Sequence, residues 1–211
     1  MEAEHASRQP GMIVAFDFDG TMTIRDSYTA FLKWRVGDLA YAAGLAAMAP
    51  ALISYLGHRD RGRLKAQATR QFLLGRPLAL LEREAEDFCA AHWDAMMRPD
   101  ALSTWRDWGE RGAHRVIVTA SPAVTVAPFA QRLGAEALIG TRLAVDSQGL
   151  ITGAFASPNC RGQEKVDRLR AAYGEDVRLA AAYGDTSGDK EMLEIADHKG
   201  WREFTGRPGS R

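Results

Sequence analysis

The apolar run at residues 12–16 shows no polar alternation, as expected of a parallel strand buried on both faces. Similar runs recur at 116–118, 137–139 and 177–183, with a final strand near Trp201. Between them the spacing turns helical. Tyr28, Phe31 and Leu32 fall on one helix face, helical character holds from about residue 27 to 110, and Asp26 and Ser27 stand where a helix is capped. Further helices are predicted from about 124 to 133, 163 to 173 and 191 to 196, and residues 142–145 and 150–155 read as a hairpin joined across Asp146-Ser147-Gln148-Gly149. Parallel neighbours need such crossovers. The expected fold is α/β: a doubly wound, mainly parallel sheet with a helical cap inserted after its first strand. The catalytic core would comprise 12–26 and 99–211, the cap 27–98, and a polar tail 1–11.

The chemistry gathers at strand ends. Asp17 and Asp19 follow the first strand, where residues i and i+2 point the same way, and Gly20 and Thr21 come next. Ligands bind at that edge of open α/β sheets. Thr119 ends the second strand and Asp185 the fourth, Asp189 lies four residues on, and Lys165 sits on the helix after the hairpin. Charges about 4 Å apart repel by roughly 4 kcal/mol at an effective dielectric of 20. Clustered aspartates therefore call for a hard divalent cation, and an all-oxygen set with room for water suits Mg²⁺. Such a cation also admits a dianionic phosphomonoester. Lys165 would add positive charge on the phosphate, while the Thr119 hydroxyl and the amides of Gly20 or Ala120 could bind its oxygens.

Composition narrows the alternatives. The chain has 211 residues with 27 basic and 27 acidic side chains, which gives no footprint for nucleic acid. Cys89 and Cys160 lack any disulfide or zinc spacing, the five histidines lack ligand spacing, and the first residues lack the basic region of a secretory signal. A reducing cytoplasm fits these features.

In order and spacing, Asp17-x-Asp19-Gly20-Thr21, Thr119, Lys165 and Gly184-Asp185-x-x-x-Asp189 resemble the four motifs of the haloacid dehalogenase-like superfamily. The resemblance implies that Asp17 is a nucleophile forming an aspartyl-phosphate and that Asp19 is the acid/base. It further implies Mg²⁺ held by Asp17, the backbone carbonyl of Asp19 and Asp185, with Asp189 supporting them. An aspartate at position 19 marks a phosphatase, since dehalogenases and phosphorylated ion pumps lack it. The helical insertion and the stretches 142–153 and 159–165 resemble the phosphoserine phosphatase-like branch, subfamily IB, and most closely the phosphatidylglycerophosphatase C-type phosphatases. Gly188 departs from this pattern, because many relatives carry asparagine there, and no arginine is identifiable for a serine carboxylate. Asp26 takes the place of the glutamate used on the serine amine, or is simply a helix cap. Ser121 is either a substrate contact or part of a Ser-Pro helix start.

Residues 39–56 form eighteen positions without a charge, flanked by Lys33 and Arg35 before and Arg59, Arg61, Arg63 and Lys65 after. A single membrane span here would separate Asp17 from Lys165 and Asp185. A hairpin broken at Pro50 would have arms of roughly 13 Å, too short for a bilayer core of about 30 Å. Two readings remain: an alanine-rich helix packed inside the cap, or shallow insertion favouring anionic lipid. The expected substrate is a lipid phosphate such as phosphatidylglycerophosphate, with the protein cytoplasmic and peripheral on the inner face of the membrane. The alternatives are a phosphatase of a soluble metabolite such as phosphoserine, and a docking module with a vestigial site.

Overall fold

The computed structural model describes residues 11–49 and 61–209. The expected tail up to residue 10, and residues 50–56 of the uncharged run, lie outside the described residues. The strands are β1 (Ile13–Phe16), β2 (His114–Pro122), β3 (Ala137–Thr141), β4 (Leu143–Val145), β5 (Ile151–Phe155), β6 (Leu179–Gly184) and β7 (Ala196–Trp201). The helices are α1 (Ser27–Val36), α2 (Asp38–Ala47), α3 (Arg61–Leu73), α4 (Leu78–Met96), α5 (Pro99–Glu110), α6 (Ala123–Leu133), α7 (Gln163–Tyr173) and α8 (Lys190–Glu194). Five strands form a parallel sheet in the order β3-β2-β1-β6-β7, and β4 and β5 pair separately as the expected antiparallel hairpin. The last predicted helix stops at Glu194, because Ala196 already begins the edge strand.

Beta1 lies at the centre, and its alternation divides the core. Ile13 and Ala15 join Leu169 of α7 and Met192 of α8 on one face, while Val14 and Phe16 join Trp105 of α5 and Phe129 of α6 on the other. Phe16 is fully buried, 5.0 Å from the Trp105 ring and 4.5 Å from Tyr183 between centroids. Such aromatic pairs each add about 0.5–1.5 kcal/mol beyond burial. Here they fix the end of the strand that delivers Asp17.

The helical insertion leaves and rejoins the sheet through two paired linkers. Ile24 donates its amide to the Met96 carbonyl and Arg98 to that of Met22, each at 2.9 Å, and Thr23 and Met97 form an antiparallel bridge between them. The hairpin, expected with the core half, is bonded to this insertion. Ile151 donates to the Arg76 carbonyl and accepts from Gly75, both at 2.8 Å, and α3 packs along β5. That attachment needs Gly153, whose φ is +78° and whose added Cβ would stand 3.0 Å from the Arg70 Cα.

Alpha2 meets the buried-helix expectation along one line only. Gly44 is buried against Phe72, and Tyr41 stacks on the same ring at 5.3 Å, yet Leu39 is 90% exposed and Ala42, Ala43, Ala46 and Ala47 face outward. No helix among the described residues is long and apolar enough to cross a membrane.

The C-terminal segment straps the α5 start to the sheet. Asp100 accepts from the amides of Thr205 at 2.8 Å, Gly206 at 2.7 Å and Ala101 at 3.0 Å, and Phe204 packs against Tyr183 with ring centroids 5.1 Å apart. Burial opposes ionisation of Asp100, but these donors outweigh it and lower its pKa. A depressed carboxyl stabilises the fold above its unfolded pKa and loses that contribution as pH falls through the folded value. Asp100→Ala should therefore cost about 1–2 kcal/mol near neutral pH, a melting shift of roughly 2–8 °C. Thermal denaturation across pH should show this penalty fading in acid.

Candidate active site

The ladder of β1 extends one residue past the strand, since the Asp17 amide donates to the Tyr183 carbonyl at 2.9 Å. Asp17 thus shares the side of Ile13 and Ala15, toward α7. The chain then makes a wide turn over Phe18–Met22, closed by the Thr23 amide on the Phe18 carbonyl at 3.1 Å. Asp19 is consequently not the next same-side position of a strand, as the i, i+2 spacing had suggested. It points into a separate set of partners. Gly20 makes the turn possible: its φ is +86°, and a Cβ there would fall 2.3 Å from Asp185 Oδ2.

Lys165 organises the base of the site. Its ammonium, 1% exposed, donates to Asp17 Oδ1 at 2.7 Å, Asp189 Oδ1 at 2.7 Å and the Val118 carbonyl at 2.6 Å. Burial alone would lower its pKa, but the two carboxylates raise it, so the ammonium stays charged. Burial, reinforced by the charge of Asp189, pushes Asp17 up to about 7 against the pull of Lys165. Asp189 goes the other way: Lys165 and the Thr186 donors outweigh burial and lower its pKa. All three ammonium protons meet protein acceptors, so Lys165 ties the two carboxylates to the end of β2.

Side-chain oxygens of Asp17, Asp185 and Asp189 lie within 4.8 Å of one another. Asp185 Oδ1 is buried without a hydrogen-bond partner, and burial together with Asp189 raises its pKa. Both oxygens of Asp189 are occupied, one by Lys165 and the other by the Thr186 amide and hydroxyl at 2.9 and 3.0 Å. An orphaned carboxylate oxygen inside an all-oxygen cluster fits a hard divalent cation. Asp17 and Asp185 would hold it, with Asp189 bracing the loop behind them. The Asp19 carboxylate is outside this cluster.

Asp19 Oδ1 accepts from the Ser27 amide at 2.6 Å and hydroxyl at 2.5 Å, while Oδ2 accepts from the Ser121 hydroxyl and lies 3.7 Å from Lys65 Nζ. Lys65 also bonds Ser121 Oγ at 2.9 Å and Asp26 at 3.2 Å. Asp26 does cap α1, accepting from the Thr29 amide at 2.7 Å, and it lines the cavity as well. Ser121 is more central than its Ser-Pro context suggested. Thr119, fully buried, accepts the Ser121 amide at 3.1 Å and supports the wall from beneath. Ala120 and Gly20 line the cavity, and the Gly20 amide donates to Thr23 Oγ1 at 3.3 Å.

The cavity is about 350 Å³ and is lined by five carboxylates and five basic side chains. Three of the latter were not singled out from the sequence. Arg25 comes from the first linker, and Arg98, from the second, donates to the Gly20 carbonyl at 3.1 Å and that of Gly206 at 3.0 Å. Arg161, from the loop before α7, bonds Thr186 and Ser187. For Arg161 the available signal was Gly188 itself. Arg63 has partners in the structure but does not line this cavity.

A family model of haloacid dehalogenase-like hydrolases matches residues 14–194. The chain belongs to that family. Among curated relatives it is 55% identical to protein CicA of Caulobacter vibrioides, over 93% of this chain and 88% of that one. It is 31% identical to a phosphoserine phosphatase of Halobacterium salinarum, over 87% of this chain and 82% of the other. Among solved structures, a phospho-aspartyl intermediate analogue of phosphoserine phosphatase superposes with a TM-score of 0.58 at 18% identity, covering 88% and 83% of the two chains. A Bordetella pertussis protein of unknown function reaches 0.67 at 22% identity, covering 87% and 86%. The protein is a haloacid dehalogenase-like phosphatase with a phosphoserine phosphatase-like fold. The narrower likeness to phosphatidylglycerophosphatase C finds no support in these comparisons.

The carboxylate cluster makes cation binding measurable without turnover. A ligand at one hundred times its Kd stabilises a fold by about 2.7 kcal/mol, or roughly 5–10 °C in a domain of this size. Saturating Mg²⁺ should raise the melting temperature by that order in the wild type and by far less in Asp185→Asn. Equal shifts in both proteins would remove Asp185 from the cation site.

Proposed function

We propose that this phosphatase is a Mg²⁺-dependent phosphomonoesterase that passes its phosphoryl group through Asp17 and acts on a small, polar substrate. The observation that carries the reading is the pairing of a buried nucleophile candidate on Lys165 with a second carboxylate, Asp19, held apart from it by the turn. Asp17 attacks phosphorus with a carboxylate oxygen, and the bond to the leaving oxygen breaks. Asp19 gives that oxygen a proton. Water then attacks the aspartyl-phosphate, Asp19 takes its proton, and the P–O bond to Asp17 breaks to release inorganic phosphate. A bound Mg²⁺ would neutralise charge on the phosphoryl oxygens. Ser27 and Ser121 orient Asp19 throughout.

Charge supports a phosphomonoester dianion as the substrate group. Equal numbers of acids and bases line the cavity, so a divalent cation would leave it complementary to one phosphate dianion. Asp26 and Lys65 stand beside Asp19, where a leaving group with both an ammonium and a carboxylate, as in phosphoserine, would find partners. Lys65, from the insertion, is the cation held beside Asp19 and Asp26. Its pKa is raised by Asp19 and Asp26, against burial, which keeps it protonated.

A second reading is favoured by one observation, the exposed alanine face of α2 with Leu39 at its start. Shallow contact of that face with an anionic membrane would present a lipid phosphate headgroup to the same cavity. A panel of phosphoserine, sugar phosphates and detergent-dispersed lipid phosphates, assayed with and without Mg²⁺, separates the two. Faster hydrolysis of a soluble ester is expected, lost in Asp17→Asn and on chelation. Preference for lipid phosphates would overturn the soluble reading in favour of the second, and turnover by Asp17→Asn would overturn both.

A further inference from the structure

Gly188 is a glycine without a backbone reason. Its φ is not in the left-handed region, yet a Cβ on it would fall 2.5 Å from both Cζ and Nη1 of Arg161 and 2.6 Å from Cγ. The missing side chain makes room for the arginine. The guanidinium is steadied over Gly188 by Thr186 Oγ1 at 3.3 Å from Nη1 and Ser187 Oγ at 2.9 Å from Nη2. The backbone beneath is fixed as well, since Gly162 donates to the Gly188 carbonyl at 2.8 Å. Thr186 Oγ1 in turn donates to Asp189 at 3.0 Å, which places Arg161 one hydroxyl away from the carboxylate cluster.

We propose that Arg161, seated in the space opened by Gly188, binds non-bridging oxygens of the substrate's phosphoryl group. The guanidinium lines the cavity, and no carboxylate pairs with it among the described residues. Two of its five N–H donors go to the hydroxyls, which leaves donors on a cavity-lining guanidinium for a ligand. Of the other basic groups there, Lys165 is committed to two carboxylates and a carbonyl and Lys65 to Asp26, Asp19 and Ser121, while Arg98 spends two donors on backbone carbonyls and Arg25 is exposed on the first linker. Arg161 itself is joined through the Thr186 hydroxyl to Asp189. Guanidinium also matches phosphate geometry in a way that ammonium does not. This inference rests on the phosphatase reading above and assigns a specific donor within it.

The test is a double-mutant cycle of Arg161→Ala and Gly188→Ala, read by calorimetric binding of inorganic phosphate to the Mg²⁺-loaded protein and by KM and kcat. Either substitution should weaken phosphate binding and raise KM by about 10- to 100-fold, the range of a hydrogen bond to a charged group, with a smaller change in kcat. The double variant should be no worse than either single one, because both remove the same guanidinium. Arg161→Lys should recover part of the loss. Phosphate affinity in Arg161→Ala within twofold of wild type would overturn the proposal, as would losses that multiply in the double variant. A loss confined to esters with a second anionic group, with inorganic phosphate unaffected, would also overturn it. Unchanged phosphate affinity with only a lowered melting temperature would mean that Arg161 merely braces the loop. If the wild type hydrolysed no phosphomonoester, the proposed function would fail, while the phosphate-binding comparison would still decide the role of Arg161.

Discussion

A buried ammonium between two buried carboxylates is the constraint on which the site depends. Taking Lys165, Asp17 and Asp189 out of water costs several kcal/mol per ion, and removing one partner typically costs about 3–5 kcal/mol because the others are left uncompensated. The three residues come from α7, the end of β1 and the loop after β6. Their contact therefore fixes the positions of three separate parts of the chain. The central place of β1, with Phe16 wedged among Trp105, Tyr183 and Phe204, makes that meeting point rigid.

The second carboxylate belongs to a different assembly. Asp19 is tied to Ser27 at the start of α1, to Ser121 near the end of β2, and more loosely to Lys65 on α3. Two of these elements lie in the insertion, so the group assigned to proton transfer is the one that feels the insertion's position. The paired linkers at Met22–Ile24 and Met96–Arg98 lie close by, and Arg98 reaches from them to the Gly20 carbonyl. Nucleophile and acid/base are thus held by different parts of the fold. The hairpin pairs apart from the sheet and is bonded to the insertion.

Much of the architecture was legible because it is local. Uninterrupted apolar runs marked strands buried on both faces, and the helix at Gln163–Tyr173 follows its apolar spacing and ends before Gly174. Asp17, Lys165, Asp185 and Asp189 were legible because strand-end loops of a parallel sheet must converge. The divergence of Asp17 and Asp19 was not, since it depends on a turn that requires Gly20 at positive φ against Asp185. Arg161 was hidden for a similar reason: an arginine in a loop looks solvent-facing until long-range packing turns it inward. Gly188 carried a trace of that packing, visible only as a departure from an expected asparagine. The two cysteines are free and buried, and burial pushes both thiols up to about 11, well above the range of reactive thiolates.

The central claim is that phosphoryl transfer passes through Asp17 while Asp19 manages the proton. Its most direct measurement is acid-quench trapping of the protein with Mg²⁺ and a radiolabelled phosphomonoester, comparing the wild type with Asp19→Asn. The account predicts a hydroxylamine-sensitive label on the peptide bearing Asp17, accumulating in Asp19→Asn because water is no longer activated for its release. Label on another residue, or wild-type turnover with none on Asp17, would contradict it.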